Sequence, residues 1–276
     1  MNSLGNYRKI VLVKSLTDFE MPGALLEFGL KEGLIDGALT VQFDEEWKPS
    51  PIIATKLEEL RQKMRTHWAI YPMDIDMLKD MHFKMLEKIA VVCKPCQAQG
   101  LRNMIDYPFY QDEFAKRIKL IIGTFCMGTI SEESYRTKIE RELSISIRDI
   151  ERSYLKPDGF HVILKNGVEH RLPTSWYMEN LQKGCLTCDD FTSRSSDISV
   201  GYLGMEFDIK SKVESDNPED FGTLIIRTER GEEFINEGVK RGYFELRSIS
   251  EMGIAEIKKY ADYKVRLAEK HRVTKS

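Results

Sequence analysis

The sequence has no excess of charge of either sign and no long apolar run. Its 41 Lys and Arg residues are balanced by 44 Asp and Glu residues, which gives a formal net charge of −3. No overall field therefore attracts nucleic acid or an anionic membrane, and we expect no nucleic-acid partner. No apolar stretch is long enough to cross a bilayer, and no charged-then-apolar leader begins the chain. We therefore expect a cytoplasmic protein without a membrane span.

The common nucleotide-binding and hydrolase motifs are also missing. The chain contains no GxGxxG, Walker loop, nucleophile elbow or HExxH sequence, which removes the commonest nucleotide and hydrolase interpretations. The histidines have no ligand-like spacing with one another, so we assign them no metal. No single side chain is identified as catalytic.

Cysteine is scarce, with five residues in the chain, and the positions of four of them are informative. Cys96 and Cys126 each follow an apolar segment that is typical of a buried strand. A helix from Cys96 to about Tyr107 and a second strand fit between them as one right-handed crossover unit, which makes the two strands parallel. Both thiols are then expected at the carboxyl edge of a sheet, where ligands bind.

The segment Cys185-Leu186-Thr187-Cys188 raises the number of candidate metal ligands to four. Four thiolates suit either an iron–sulfur cluster or tetrahedral zinc. Two ligands stand alone at strand ends instead of in a second CxxC pair, which favours a cluster over structural zinc. A redox-active CxxC is the third alternative. Cys93 is better explained as a small buried apolar residue.

Strands and helices alternate along most of the chain. This pattern predicts an α/β fold with a mixed, largely parallel sheet flanked by helices and a small cysteine-bearing, cluster-binding region. Asn166-Gly167 joins Phe160–Leu164 to Val168–Leu172, which predicts a β-hairpin excursion. We expect one domain over residues 1–276, with an N-terminal α/β part (1–150), a C-terminal part containing the CxxC (151–276) and a soft boundary between them.

Several residues are candidates for cofactor contacts, each with a structural alternative. Gly100 permits a close approach to the helix that begins at Cys96. Arg102 is a candidate to bind a phosphate, and an ordinary surface arginine is the alternative. Gly201 and Gly204 follow a predicted strand and let a ligand pass near the backbone. His67 lies among aromatic residues that suit a flavin face or, alternatively, core packing.

The last part of the chain, Lys258–Lys275, is rich in lysine and arginine. Such composition is typical of a solvated helix, with a docking surface as the minority alternative. The helix is predicted to begin near Ser248, because Ser248 and Glu251 have the spacing of a capping box.

Taken in order, these motifs resemble those of the coenzyme F420-reducing hydrogenase beta subunit family, which includes the beta subunits of deazaflavin-linked formate dehydrogenases. The resemblance extends over the whole chain. The matching segments are Gly33–Ala38, Lys94–Gln97, Gly123–Met127, Gly184–Cys188, Asp197–Gly201 and Ile226–Thr228.

The resemblance implies FAD, one 4Fe-4S cluster and coenzyme F420 as the substrate. It implies Cys96, Cys126, Cys185 and Cys188 as cluster ligands. It also implies FAD contacts from Pro22, Gly23, Thr66, His67, Gln97, Gly100, Arg102, Ser199, Gly201 and Gly204. The expected activity is hydride exchange between F420 and FAD, with single electrons relayed through the cluster. The expected partners are hydrogenase, formate dehydrogenase or heterodisulfide reductase type subunits.

Overall fold

A computed structural model describes residues 2–61, 85–106, 113–202 and 221–273 of the chain. The strands are β1 (Lys9–Ser15), β2 (Gly37–Phe43), β3 (Pro49–Ala54), β4 (Ile89–Cys93), β5 (Ile118–Thr124), β6 (Ile150–Lys156), β7 (Gly159–Leu164), β8 (Glu169–Leu172), β9 (Ile198–Gly201), β10 (Phe221–Ile226) and β11 (Phe244–Ser248). The helices are α1 (Met21–Lys31), α2 (Leu57–Arg61), α3 (Pro95–Asp106), α4 (Glu113–Arg117), α5 (Glu132–Leu143), α6 (Thr174–Glu179), α7 (Glu229–Lys240) and α8 (Glu251–Val273). Short 3-10 turns cover Ile147–Asp149 and Lys183–Thr187.

The main sheet has eight strands in the order β11-β1-β10-β9-β5-β4-β2-β3. Its middle is parallel, since β2 pairs with β4, β4 with β5, and β5 with β9 in the same direction. The strands toward both edges pair antiparallel. The predicted mixed α/β fold is confirmed, and so is the crossover from β4 through α3 to β5. Strands from both the predicted N-terminal and C-terminal parts share this one sheet.

Both faces of the sheet are covered, because its strands are apolar on both sides. One face packs against α1 and α7 through residues such as Leu25, Phe28 and Ile235. On the other face, α3 covers β4 and β5 through Ala98 and Leu101. The rest of that face is covered by α5, α8 and the small sheet. The result is a layered α/β domain with the sheet between helices.

The hairpin excursion is a separate three-stranded antiparallel sheet, β6-β7-β8. Its predicted turn is confirmed: Gly167 has a φ of +85°, and the Leu164 amide donates to the Val168 carbonyl at 2.8 Å. The partner strand β6 was not predicted. Its sequence, Ile150-Glu151-Arg152-Ser153-Tyr154-Leu155-Lys156, has little apolar character because much of one face is exposed.

The carboxyl ends of the parallel strands point to one edge of the main sheet. The chain leaves β4 into the start of α3, and it leaves β5 into Phe125 and Cys126. Strand β1 runs in the same direction as β9, because both are antiparallel to β10, so its end leads into α1 at this edge too. The edge is therefore where the cysteines and the start of α1 lie. Within the described residues, no helix is both long and apolar enough to cross a lipid bilayer.

Candidate functional site

The Cys126 segment and the CxxC segment are joined by backbone pairing. Ile130 and Leu181 form an antiparallel bridge, and the Gln182 amide donates to the Thr129 carbonyl at 2.8 Å. The Cys126 amide donates to the Phe191 carbonyl at 2.8 Å, which attaches the chain after the CxxC to the end of β5. These contacts bring segments that are far apart in sequence to one place.

A backbone amide donates directly to one of the sulfurs. The Thr129 N–H group lies 3.3 Å from Cys185 Sγ, and the Thr129 hydroxyl lies 3.5 Å from the same atom. Gly128 permits this approach with a φ of +154°, and a Cβ at Gly128 would lie 3.2 Å from Cys185 Cβ. Amide donation to sulfur is a feature of iron–sulfur sites, because it stabilises a negatively charged thiolate.

Cys96 lies in the first turn of α3 and is exposed on one side. Burial of its other side is the main cause that raises the pKa of the Cys96 thiol. The nearby thiols of Cys126, Cys188 and Cys185 raise it further. In general, thiolates that lie close together repel one another, and a polyvalent cationic centre offsets that repulsion. Cys93 is fully buried in the apolar cluster under α3, as expected, and burial raises its pKa.

Two buried lysines lie beside Cys126, and the sequence did not identify either as part of the site. Lys264 of α8 is 1% exposed and donates to the Cys126 carbonyl. Lys94 is 4% exposed, and burial lowers its pKa. The expectation of a fully solvated final helix is therefore wrong for one face of α8. The buried face carries Ile257, Ala261, Lys264 and Ala268 at helical spacing, a signal that the sequence does contain.

The donor set is chemically right for a cluster, since it consists of thiols alone. A single tetrahedral zinc ion has Zn–S bonds of about 2.3 Å and therefore needs its thiolates about 3.8 Å apart. In the described part of the chain, no three His, Cys, Asp or Glu side chains form a group able to hold a metal ion. The other three thiols are therefore close enough to raise the pKa of Cys96, but the four side chains are not grouped at metal-binding distances.

Arg102 is engaged by a buried carboxylate. Its Nη2 donates to Asp197 Oδ1 at 3.0 Å and its Nε donates to the Ser195 carbonyl at 3.2 Å. Asp197 is fully buried and also accepts from Arg230, the Thr228 hydroxyl and the Ile121 amide. These contacts support the structural alternative for Arg102, and phosphate binding by this residue stays a prediction.

Ser199 belongs to an interior polar network. Its hydroxyl accepts from Arg227 Nε at 2.7 Å and contacts the Ser196 hydroxyl at 2.9 Å, and the residue is fully buried. The Arg227 guanidinium also donates to the carbonyls of Leu4, Asn6 and Thr192 and to the Thr192 hydroxyl. Burial lowers the pKa of Arg227 to about 10. This network fixes the loop between the CxxC segment and β9.

The glycines at this edge differ in what surrounds them. A Cβ at Gly201 would lie 2.0 Å from Phe125 Cδ2, so packing beside Cys126 already requires glycine there. A Cβ at Gly100 would meet nothing within 4 Å, which leaves open space above α3. The Gln97 side chain accepts from the Lys94 amide at 2.9 Å and so caps the start of α3. Of these residues, Gly100 is the one with room for a ligand.

Pro22 and Gly23 lie in the first turn of α1. No acidic side chain occupies this turn, and Glu20 makes no side-chain cap there. Met21 lies close to the end of β9, because a Cβ at Gly222 would be 3.6 Å from Met21 Cγ and 3.3 Å from the Gly201 carbonyl. The predicted contacts Thr66, His67 and Gly204 lie outside the described residues.

Two family models match this chain. The model described as coenzyme F420 hydrogenase/dehydrogenase, beta subunit N-term, matches residues 22–75, and the model for the C terminus of the same beta subunit matches residues 86–252. The second match covers the described cysteines and more than half of the chain. The chain therefore belongs to the coenzyme F420 hydrogenase/dehydrogenase beta subunit family, and the resemblance indicated by its motifs is confirmed.

Individual relatives agree with this assignment. The coenzyme F420 hydrogenase subunit beta of Methanothermobacter thermautotrophicus is 30% identical, over 97% of this chain and 95% of the relative. The coenzyme F420-dependent sulfite reductase of Methanocaldococcus jannaschii is 28% identical over 92% of this chain but only 40% of its own length. A chain from the F420-reducing [NiFe] hydrogenase complex of Methanosarcina barkeri has the same fold, with a TM-score of 0.85, 26% identity and coverage of 97% and 92% of the two chains.

Proposed function

We propose that this chain exchanges a hydride between coenzyme F420 and bound FAD and relays single electrons through a 4Fe-4S cluster to or from partner subunits. Family membership supports the F420-dependent oxidoreductase part of this function. The observation that carries the finer proposal is the convergence of Cys126, Cys185, Cys188 and Cys96 at one edge of the sheet.

Each cysteine has a distinct position for cluster binding. Cys126 is buried, Cys185 and Cys188 are half-buried, and Cys96 is exposed. Cys185 accepts the Thr129 amide, a contact of the kind found at iron–sulfur sites. Cys96 is the exposed member of the set, so we place the approach of an electron-transfer partner on its side.

FAD binding is proposed at the same carboxyl edge. The first turn of α1, with Pro22 and Gly23, and the open space beside Gly100 are the described parts that support it. When bound, FAD supplies the conversion between two-electron hydride exchange and one-electron transfer. The protein groups here orient the reactants and exclude water instead of forming covalent bonds.

The partners are proposed to be subunits of hydrogenase, formate dehydrogenase or heterodisulfide reductase type. The names of the relatives support the first two, since they include an F420 hydrogenase and an F420-dependent formate dehydrogenase subunit. A cysteine-bound cluster also needs a second carrier, because electrons that enter it must leave. We propose a cytoplasmic location for this assembly.

The test is anaerobic purification of the full chain with quantification of iron, sulfide, zinc and flavin. We expect iron and flavin, and bleaching of the visible spectrum when reduced F420 is added. Cys96→Ser should lose most of the iron. Cys93→Ser is the matched control, since this thiol lies in the apolar core, and it should retain iron.

Zinc without iron in the wild-type chain would contradict the proposal and favour structural zinc. Iron and flavin that are reduced by nicotinamide or ferredoxin but not by F420 would leave a reductase with a different donor. A chain that binds neither metal nor flavin would indicate a scaffold. Spectra recorded with the three donors in parallel separate these outcomes.

A further inference from the structure

Helix α8 contacts both halves of the cysteine site, although almost all of it lies beyond the stretches that the family models match. In the middle of the helix, Lys264 donates to the carbonyl of Cys126. Near the end of the helix, Arg272 Nη2 donates to the Thr187 carbonyl at 2.8 Å, and its Nε reaches the same oxygen at 3.2 Å. Thr187 lies between the two cysteines of the CxxC pair.

Arg272 is further fixed by Asp189, the residue that follows Cys188. The two side chains form an ion pair at 3.2 Å, and Asp189 also pairs with Arg194. Apart from the contacts of Thr129 with Gln182 and Cys185, the CxxC segment is a single 3-10 turn whose residues are half-buried or exposed. The bond from Arg272 therefore connects a thinly supported segment to a helix of 23 residues.

Lys264 contributes a charge as well as a bond. Burying an ammonium group is costly unless an anion lies nearby. A second buried lysine, Lys94, lies in the same region, so the two charges oppose each other. Two buried lysine side chains beside the thiols suit the negative charge of a thiolate-bound cluster.

We propose that α8 is a clamp on the cysteine site: Arg272 holds the CxxC segment in place, and Lys264 holds Cys126 and adds a buried positive charge that raises the reduction potential of the centre. The positioning half of this proposal is the hold of Arg272 on the CxxC segment, and it applies whatever the thiols bind. The charge half rests on the proposed function.

The positioning half is tested by alkylation of the full chain after metal removal, with the modified cysteines identified by mass spectrometry. Arg272→Gln should increase the labelling rates of Cys185 and Cys188 several-fold over wild type. Cys96 is exposed in any case and should not change. Arg272→Lys should recover part of the protection. Equal labelling rates at Cys185 and Cys188 in wild type and Arg272→Gln would overturn the clamp.

The charge half is tested by redox titration of the cluster, followed by its electron paramagnetic resonance signal. Lys264→Met should shift the midpoint potential to a more negative value. Lys258→Met removes the same charge from an exposed part of the same helix, where Lys258 pairs with Asp262 at 2.7 Å, and should leave the potential unchanged. An unchanged potential in Lys264→Met, with the cluster retained, would overturn this half.

The two halves fail separately. A wild-type chain without iron would overturn the proposed function and the charge half together, while the labelling rates of the Arg272 variants would still decide the clamp. If Lys264→Met does not fold, Arg272 remains testable, because its side chain is 53% exposed and its replacement leaves the core intact.

Discussion

Two polar regions flank the loop that runs from the CxxC segment to β9, and they differ in how their bonding groups are used. In the network of Arg227 and Asp197, the guanidinium donates five hydrogen bonds and the carboxylate accepts four, all within the chain. In the cysteine site, Cys126 and Cys188 make only long contacts, at 3.6 and 3.8 Å, to carbonyls two residues away. Cys96 is open to solvent.

This difference separates residues that hold the fold from residues that remain available to a ligand. A buried charge that has satisfied all its partners contributes to stability and specificity. Thiols that lie close together repel one another when ionised, and the proposed cluster would offset that repulsion. Changes in the first region should therefore alter stability, while changes in the second should alter metal content.

The largest expected loss of stability comes from Arg227→Met. This change removes the guanidinium donor from the buried carbonyls of Leu4 and Thr192 and from the Asn6 carbonyl, and we expect a loss of about 3–5 kcal/mol in the free energy of unfolding. Denaturant unfolding followed by circular dichroism measures it. Arg141→Met, at a side chain that is 74% exposed, is the control and should change stability by less than about 0.5 kcal/mol.

A conservative change at Arg227 separates the effect of its charge from the effect of its hydrogen bonds. Arg227→Lys keeps the charge but has at most three donors without the planar fork, so it should restore only part of the stability. Full recovery with lysine would mean that the charge alone matters and that the five bonds do not. That result would contradict the description of the network as a set of individually needed contacts.

The next largest loss of stability is expected for Gly201→Ala. The new Cβ would lie 2.0 Å from the Phe125 ring, and relieving this overlap should cost about 1–3 kcal/mol. Thermal unfolding of Gly201→Ala, Phe125→Leu and the double variant gives the coupling. We expect the double variant to lose less than the sum of the two single losses. Strictly additive losses would show that Phe125 is not the reason for glycine at this position.

The sequence predicted the elements that depend on neighbouring residues and missed those that depend on contacts between distant residues. The buried strands β4 and β5, the crossover helix and the Asn166-Gly167 turn follow from local pattern and are present. The cap of α5 is equally local, since the Ser131 hydroxyl accepts from the Ser134 amide at 3.1 Å. Strands β6 and β11 were missed, because both are short of apolar residues and lie in a half-exposed sheet or at an edge.

The start of α8 and the role of the arginines show the same limit. The cap is Ser250 instead of Ser248, since Ser248 pairs with Val11 in the sheet and its place in β11 cannot be read locally. Likewise, Arg102 meets Asp197 across 95 positions of sequence, which no motif encodes. Cysteine spacing gave a specific hypothesis, a shared site for four thiols, because few other roles suit cysteines in that pattern, whereas an arginine has many; that shared site stays a prediction.

Gly100→Ala should move stability and flavin content in opposite directions. Alanine is favoured over glycine inside a helix by about 0.5–1 kcal/mol, and a Cβ here meets nothing within 4 Å. The variant should therefore unfold at a slightly higher temperature while retaining less flavin after gel filtration. Gln99→Ala, at the adjacent exposed position, is the control for flavin content. Unchanged flavin in Gly100→Ala would remove this residue from the proposed cofactor contacts.

The smallest effect is expected at the outer face of the small sheet, where exposed charges contrast with the buried network. His161 faces two carboxylates, with Nδ1 at 2.5 Å from Glu169 and Nε2 at 3.0 Å from Asp158. These hydrogen bonds lower the pKa of both acids from their ordinary values of 4.5 and 3.8. A lowered carboxyl pKa gives stability that is present above the ordinary value and is lost as pH falls through the folded value.

Because the two acids are about half exposed, their joint contribution should stay below about 1 kcal/mol. Thermal midpoints of wild type and His161→Gln measured in steps from neutral pH down to the acid range should converge once both carboxylates are protonated. Above that range the wild type should be slightly more stable, since the ring of His161 contacts both carboxylates. A constant difference across the whole range would show that His161 acts through packing, which its stacking on Tyr154 at 5.3 Å also provides.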